Sequence, residues 1–151
     1  MINYRKADIK DISLLVDIRK KQLIDEGIEP NIDIDEELTR YFNDKLADNS
    51  LVEWIAEEDN QIIATGAIAF IDFPPTYTNK TGRKGYITNM YTEPTSRGKG
   101  IATGMLDRLV NEAKKRNIHK IWLGASKLGR FVYKKYGFQD QDTDVWLELN
   151  L

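Results

Sequence analysis

The spacing of apolar residues changes along the chain, and each change indicates a different secondary structure. Helical spacing dominates up to about residue 47, and strand-like runs with turn residues between them follow. Helical and strand-like segments then alternate to the end of the sequence. The predicted strands are residues 2–5, 51–56, 61–73, 84–93, 119–124 and 143–149. The element order βααβββαβαβ predicts a mixed α/β fold, a sheet flanked by helices, in a single domain over residues 1–151.

The predicted helices have start and stop signals as well as an apolar face. Asp8 with Asp11, and Asp33 with Glu36, have the spacing of capping pairs, and Gly27 and Gly137 are positioned to end helices. Each of the first three helices has apolar residues at helical spacing on one face. These residues are Ile12, Leu15, Val16 and Leu23 in the first helix, Leu38, Tyr41, Phe42 and Leu46 in the second, and Ile101, Met105, Leu109, Val110 and Ala113 in the third. A short fourth helix over residues 126–136 has an apolar face of Leu128, Phe131, Val132 and Tyr136.

Composition excludes several kinds of chemistry. The chain has no Cys and one His, which excludes disulfides, thiolate zinc sites, a Cys nucleophile and multi-His metal sites. The start, MINYRKADIK, lacks the apolar run of a signal peptide, and no stretch approaches ~18 apolar residues. We therefore expect a soluble cytoplasmic protein without a bound metal. The net charge of −2 does not favour nucleic acid as a partner.

Charge is distributed unevenly along the sequence. Residues 25–59, hereafter the acidic stretch, contain 13 acidic and two basic side chains, whereas the remainder is basic. The acidic stretch is either a solvated face or a surface that concentrates a cation. The basic remainder would suit an anionic cofactor.

A glycine-rich turn, Arg97-Gly98-Lys99-Gly100, lies between a predicted strand and a predicted helix. The first N–H groups of a helix have no partner within the helix, and two glycines let an anion approach them closely. The P-loop pattern is absent, and the spacing GxGxxxG departs from the dinucleotide fingerprint. Residues 97–102 match the pattern Arg/Gln-x-x-Gly-x-Gly/Ala in full, although a tight connection alone could also account for the glycines.

Two separate motifs extend this match. The segment from Asn89 to Ala102 resembles motif A of the GNAT N-acetyltransferases, and the segment from Gly129 to Phe138 resembles their motif B, which ends in Tyr-x-x-x-Gly-Phe. Together they cover about 50 residues, and the element order is similar to that of the family. The resemblance implies a central, twisted, mixed sheet flanked by helices. It also implies acetyl-CoA, or another acyl-CoA, as donor.

The resemblance further implies roles for individual residues. The family pattern places the CoA pyrophosphate on the backbone amides of Arg97, Gly98, Lys99, Gly100, Ile101 and Ala102, and pantetheine along Met90, Tyr91 and Thr92. The backbone N–H of Met90 would stabilise the oxyanion, and Tyr133 would protonate the departing thiolate. Ser126 stands where the family often has Asn and can still bond pantetheine. Arg130 either faces solvent or helps to hold the CoA phosphates.

The implied reaction is transfer of an acetyl group to a primary amine by direct attack, which needs no covalent nucleophile. No carboxylate lies in residues 85–89, where some family members have a general base. Either ordered water near Thr88 or Asn89 accepts the proton, or the amine arrives neutral. Two alternatives remain: an acyl-CoA sensor without turnover, suggested by the missing carboxylate, and a nucleotide-binding regulator.

The family pattern also bears on the acceptor. It places the first two helices and their connecting loop along one wall of the acceptor site, and these fall largely in the acidic stretch. The sequence thus predicts a cationic acceptor, such as a polyamine or an aminoglycoside. We also allow for a homodimer.

Aromatic residues and the single histidine have simpler interpretations. Trp54, Trp122 and Trp146 lie on predicted strands and are expected in the core. His119 is expected at the surface. Because four other apolar residues already supply the short fourth helix with a face, Tyr133 is free for a polar task.

Overall fold

A computed structural model describes residues 1–141 and 146–151 of the chain. It has five strands and four α-helices in the order βααβββαβα. These are β1 (Asn3–Lys6), α1 (Ile12–Asp25), α2 (Asp35–Ala47), β2 (Leu51–Glu58), β3 (Gln61–Asp72), β4 (Arg83–Thr92), α3 (Ile101–Lys115), β5 (Ile121–Leu123) and α4 (Arg130–Tyr136). The predicted α/β class and the first nine elements of the predicted order are confirmed.

The five strands form one mixed sheet in sequential order. Neighbours from β1 to β4 are antiparallel: α1 and α2 lie between β1 and β2, a short turn connects β2 to β3, and a longer loop connects β3 to β4. Among the strands of the described residues, β5 alone is parallel to its neighbour, since α3 carries the chain back across the sheet. The helix between them is the crossover that a parallel pair requires.

Each face of the sheet is covered by helices. One face packs on α3, where Met105, Leu106 and Leu109 are fully buried, and on the aromatic side chains of α4. The other face packs on α1 and α2, around Leu15, Phe42 and Ile55. Burial on both faces explains why the middle of β3 is buried residue after residue rather than at alternate positions.

Capping agrees with the sequence in one helix and differs in the next. Asp8 and Asp11 form the predicted capping box, but it begins a 3₁₀ turn that leads into α1. Asp33 accepts a bond from the backbone N–H of Asp35, whereas the residue that caps α2 is Ile34. Gly137 ends α4 with a positive φ of 128°, as predicted.

The C-terminal part departs most from the predictions. The predicted strand over residues 143–149 begins outside the described residues, and Trp146 to Leu149 have no regular secondary structure. Trp146 is 69% exposed, so its predicted place in the core is wrong, while Trp54 and Trp122 are partly buried. The helix expected from residue 126 begins at Arg130, and Leu128 and Phe131 are exposed instead of facing the core. His119 is exposed, as expected.

Within the described residues, no helix is long and apolar enough to cross a bilayer.

Candidate active site

The last two strands pair over a short distance only. Three residue pairs join β4 to β5, ending with Ile87 opposite Leu123. Residues 88–92 continue β4 beyond the end of β5, so on that side they have no strand partner in the described chain. An unpaired strand edge presents backbone N–H and C=O groups that an extended ligand can use.

An open cleft lies where the two strands separate. The cleft is lined by residues from α1, β4, the end of β5, the loop after it and α4: Arg19, Gln22, Glu26, Tyr86, Ile87, Thr88, Met90, Leu123, Gly124, Ser126 and Tyr133. Three of the predicted site residues, Met90, Ser126 and Tyr133, are thereby brought together from distant parts of the sequence.

The glycine-rich turn follows β4 and leads into α3. Gly98 and Gly100 have positive φ angles of 80° and 78°, a conformation in which other residues are strained. Gly100 is the N-cap of α3 and supplies no side chain to the first N–H groups of the helix. In the described chain, no acceptor lies within bonding distance of the N–H groups of Gly98, Lys99 and Gly100. These exposed amides, at the positive end of the α3 dipole, form a cradle that suits a phosphate.

Arg97 braces this turn through its side chain. Its Nε donates to the carbonyl of Thr92 at 2.9 Å, and its Nη2 lies 3.3 Å from Asp25 at the end of α1. The Arg97 backbone N–H donates to Pro94. Arg97 therefore holds the turn against β4 and α1, and the free amides begin at Gly98.

Tyr133 enters the cleft from α4. Its ring is half-buried against the α3 side of the core and packs edge-on against Phe138. Burial raises the pKa of the Tyr133 phenol to about 12, and the negative charge of Glu26 adds to the rise. The phenol therefore stays protonated at neutral pH, as a proton donor must.

The model of the acetyltransferase (GNAT) family matches residues 16–138, which include strands β2 to β5, the glycine-rich turn and α4. This chain belongs to the GNAT family. Within the GNAT family, the chain is 88% identical to a predicted acetyltransferase from Clostridium acetobutylicum whose crystal structure was solved with acetyl-CoA. That structure superposes with a TM-score of 0.95 over 99% of this chain and 96% of the other.

Two more distant relatives are uncharacterised N-acetyltransferases and carry less information. The uncharacterised N-acetyltransferase YsnE of Bacillus subtilis is 27% identical over 101 residues, which are 64% of this chain and 61% of YsnE. An uncharacterised N-acetyltransferase of Methanocaldococcus jannaschii is 31% identical over 67 residues, 42% of this chain and 30% of its own length. The chain thus spans three fifths of one of these curated relatives and less than one third of the other.

A β-bulge distorts the GNAT β4 strand inside the cleft. Thr88 pairs with Ala67 and Tyr91 with Thr65, so β4 has one extra residue between these pairs. Asn89 takes the distortion with a φ of 56°. Bulges of this kind redirect the strand and the groups that follow it. Here the group that follows is Met90, the predicted oxyanion donor.

A buried carboxyl group holds this bulge from behind. Asn89 Nδ2 donates to Glu53 Oε2 at 3.3 Å, and Thr65 Oγ1 donates to the Asn89 carbonyl at 3.0 Å. Glu53 is 2% exposed, and this burial raises the pKa of Glu53 to about 8 despite the Asn89 bond and the nearby charge of Arg19. The Asn89 amide is therefore committed to Glu53, and of the two polar residues proposed to hold water, Thr88 is the one that lines the cleft.

Ser126 and Arg130 lie at the α4 side of the GNAT cleft. Ser126 Oγ accepts a bond from the Gly129 N–H at 3.2 Å and helps to form the turn into α4. The side chain of Arg130 is exposed and forms an ion pair with Asp140. Tyr91, Thr92, Ile101 and Ala102 lie on the strand and helix that flank the turn, with Ile101 buried under it.

The acidic stretch contributes little to the GNAT cleft. Of its 13 acidic side chains, Glu26 alone is among the lining residues. Acidic residues of α2 are directed elsewhere: Asp35 pairs with Lys20 at 2.8 Å and Glu36 with Arg40 at 3.0 Å, on the exposed face. The acidic stretch as a whole is thus not the wall of this cleft.

Sequence reasoning missed the contributions of Arg19 and Glu53. Both interrupt an apolar pattern at an inward position: Arg19 follows Ile12, Leu15 and Val16 at helical spacing, and Glu53 stands between Leu51 and Ile55. A polar residue at such a position is a signal that the sequence does contain.

Proposed function

We propose that this GNAT domain transfers an acetyl group from acetyl-CoA to a primary amine of a small molecule or peptide. The observation that carries the proposal is the separation of β4 from β5, which opens a cleft lined by Met90, Ser126 and the half-buried Tyr133. The Clostridium structure with acetyl-CoA, at 88% identity, supports the choice of donor.

The donor would be held mainly by backbone groups. The amides of Gly98, Lys99 and Gly100 would bind the pyrophosphate, and the open edge of β4 would bind pantetheine as an extra strand. Met90 and Thr92 lie on that edge, and Ser126 faces it from the loop after β5. Binding both reactants in one cleft supplies several kcal/mol through alignment alone.

The chain's own groups then act on the reacting atoms. The free amine attacks the thioester carbonyl, and the Met90 N–H stabilises the oxyanion, a contribution of about 3 kcal/mol for a typical donor. As the C–S bond breaks, Tyr133 gives its proton to the departing thiolate. The nitrogen loses its extra proton to water in the open cleft, and the Tyr133 phenolate takes a proton back from that water, which leaves an N-acetyl amine, free CoA and the restored phenol. We assign no side chain as general base.

Release of free CoA thiol tests this proposal. The protein is incubated with acetyl-CoA and a panel of polyamines, aminoglycosides, amino acids and peptides, and thiol is measured against a blank without acceptor. Amine-dependent release that requires Tyr133 supports the enzyme. A thermal shift with acetyl-CoA but no release with any amine would instead indicate the non-catalytic sensor.

A further inference from the structure

Helix α1 lies along the cleft with its C-terminal end next to the glycine-rich turn. Its end is fastened to the donor side: Asp25 is 3.3 Å from Arg97, and Lys21 is 3.4 Å from Glu93. Arg19 is six residues before Asp25, a distance of about 9 Å along a helix. Arg19 therefore lies away from the glycine-rich turn, on the side of the cleft where β4 contributes Tyr86 and Thr88.

The charge of Arg19 is not balanced by the protein around it. Arg19 is half-buried, and its Nη1 donates to the neutral amide of Gln22 at 3.2 Å. In the described chain, no carboxylate lies within 4.0 Å of its guanidinium. The buried carboxyl group that feels its charge is Glu53, and because burial raises the pKa of Glu53 to about 8, that group is mostly uncharged at neutral pH.

The one lining carboxylate, Glu26, is at the opposite end. It lies seven residues after Arg19, about 10 Å along the helix, accepts a bond from Gln22 Nε2 at 3.2 Å and acts on Tyr133. Glu26 thus belongs to the end of α1 near the donor, where Asp25 also lies. The far end of the cleft presents a cation with unused N–H donors.

A guanidinium with free donors suits one kind of ligand group. Its fork of N–H groups matches the paired oxygens of a carboxylate or a phosphate, and a partly buried charge gains most from such a partner. We propose that the acceptor amine carries an anionic oxygen group, a carboxylate or a phosphate, that Arg19 binds at the far end of the cleft. This inference rests on the proposed acetyl transfer and adds the class of acceptor.

Matched acceptors and matched variants test it. Standard amino acids are each paired with the amine left by decarboxylation, and O-phosphoethanolamine is paired with ethanolamine. For each pair, kcat/KM is measured by thiol release with the wild-type protein and with Arg19→Gln. Because amine basicity is the same with both enzymes, it cancels in this double comparison.

We expect Arg19→Gln to lower the preference for the anionic member of a pair at least 10-fold, through KM, with kcat and the acetyl-CoA thermal shift nearly unchanged. Arg19→Lys should retain part of the preference. Arg40→Gln, which removes an exposed arginine of α2, should leave it as in the wild type. The pair that responds identifies the carboxylate or the phosphate.

Two results overturn the inference while acetyl transfer stands: an equal preference in wild type and Arg19→Gln, or spermidine as the best acceptor. A different result, no amine-dependent thiol release with any acceptor, overturns the proposed function, and this inference with it.

Discussion

The two ends of the cleft are built from different parts of the polypeptide. The donor end consists of backbone: open amides at Gly98, Lys99 and Gly100 and the free edge of β4. The acceptor end consists of side chains, with Arg19 and Tyr86 at the surface of the cleft and Glu53 behind it. A backbone site fixes the local conformation and a few glycines, whereas a side-chain site can change its ligand by single substitutions. In the proposed complex, the fold therefore determines the donor, and α1 and β4 select the acceptor.

The strongest test of the donor end is Gly100→Val. A β-branched residue is strained at a φ of 78° and covers the open amides, although its Cβ meets no protein atom within 4 Å. We expect the stabilisation by acetyl-CoA, about 2.7 kcal/mol at 100-fold over Kd, to disappear in a thermal-shift assay, together with activity. Gly27→Val is the control, because Gly27 also has a positive φ of 86° and open space. An unchanged shift in Gly100→Val would remove the cradle from the donor site.

Tyr133→Phe distinguishes the catalytic step from donor binding, because Tyr133 lines the cleft between its donor and acceptor ends. The variant loses only the hydroxyl, so kcat should fall by roughly 10- to 10⁴-fold while the acetyl-CoA thermal shift stays the same. Tyr136→Phe is the matched control on the same helix, since its hydroxyl donates to Asp107 at 2.9 Å. In the wild type, the pKa of about 12 predicts no loss of rate from Tyr133 ionisation below about pH 11. Equal turnover in Tyr133→Phe would exclude it as the acid.

Glu53→Gln tests the side-chain character of the acceptor end. A carboxyl group whose pKa is raised from 4.5 to about 8 binds its proton more tightly in the folded state. Its contribution to stability is full below about pH 4.5 and is lost as pH rises toward 8, at up to about 1.4 kcal/mol per pH unit. Glutamine keeps an acceptor for Asn89 without the titration.

Urea unfolding at pH 5 and pH 8 checks this. The free energy of unfolding of Glu53→Gln should increase relative to that of the wild type as pH rises. Asp11→Asn should differ from the wild type by the same amount at both pH values, because Arg5 lowers the pKa of Asp11 below its usual 3.8 and the stabilisation is lost only in stronger acid. Parallel curves for Glu53→Gln and wild type would show that Glu53 is ionised across this range.

The smallest effect is expected from Gly129→Ala. A Cβ at Gly129 would lie 2.7 Å from Tyr133 Cε2, so the ring must move, while the backbone conformation accepts alanine. A displaced acid should lower kcat about 10-fold and leave acetyl-CoA binding intact. Gly124→Ala is the control within the cleft, because its nearest contact is 4.0 Å away. A normal kcat in Gly129→Ala would mean that the position of the ring is not critical.

The same difference explains what the sequence could predict. The turn at residues 97–102 could be predicted from the sequence because a backbone cradle requires glycines at fixed spacing next to a helix start. Arg19 and Tyr86 line one cleft only because of tertiary packing, and nothing local in either segment indicates the other. The predicted acidic wall was inferred from sequence position, whereas the helix α2 that carries much of it turns its charges to the exposed face.

Local pattern also failed where tertiary context decides. Leu128 and Phe131 have the spacing of a buried helical face, yet α4 begins after Leu128 and presents Val132 and Tyr136 to the core instead. The bulge at Asn89 was not predicted, because an Asn within an otherwise regular strand is equally compatible with a straight one.

The free edge of β4 affects how long the protein persists in the cell. On the side away from β3, residues 88–92 have no strand partner in the described chain, so they present an edge on which other polypeptides can pair. A bound donor would cover this edge, so saturation should protect the protein from aggregation and from proteases. We therefore expect the steady-state abundance of the protein to rise and fall with the acetyl-CoA supply, without any change in transcription.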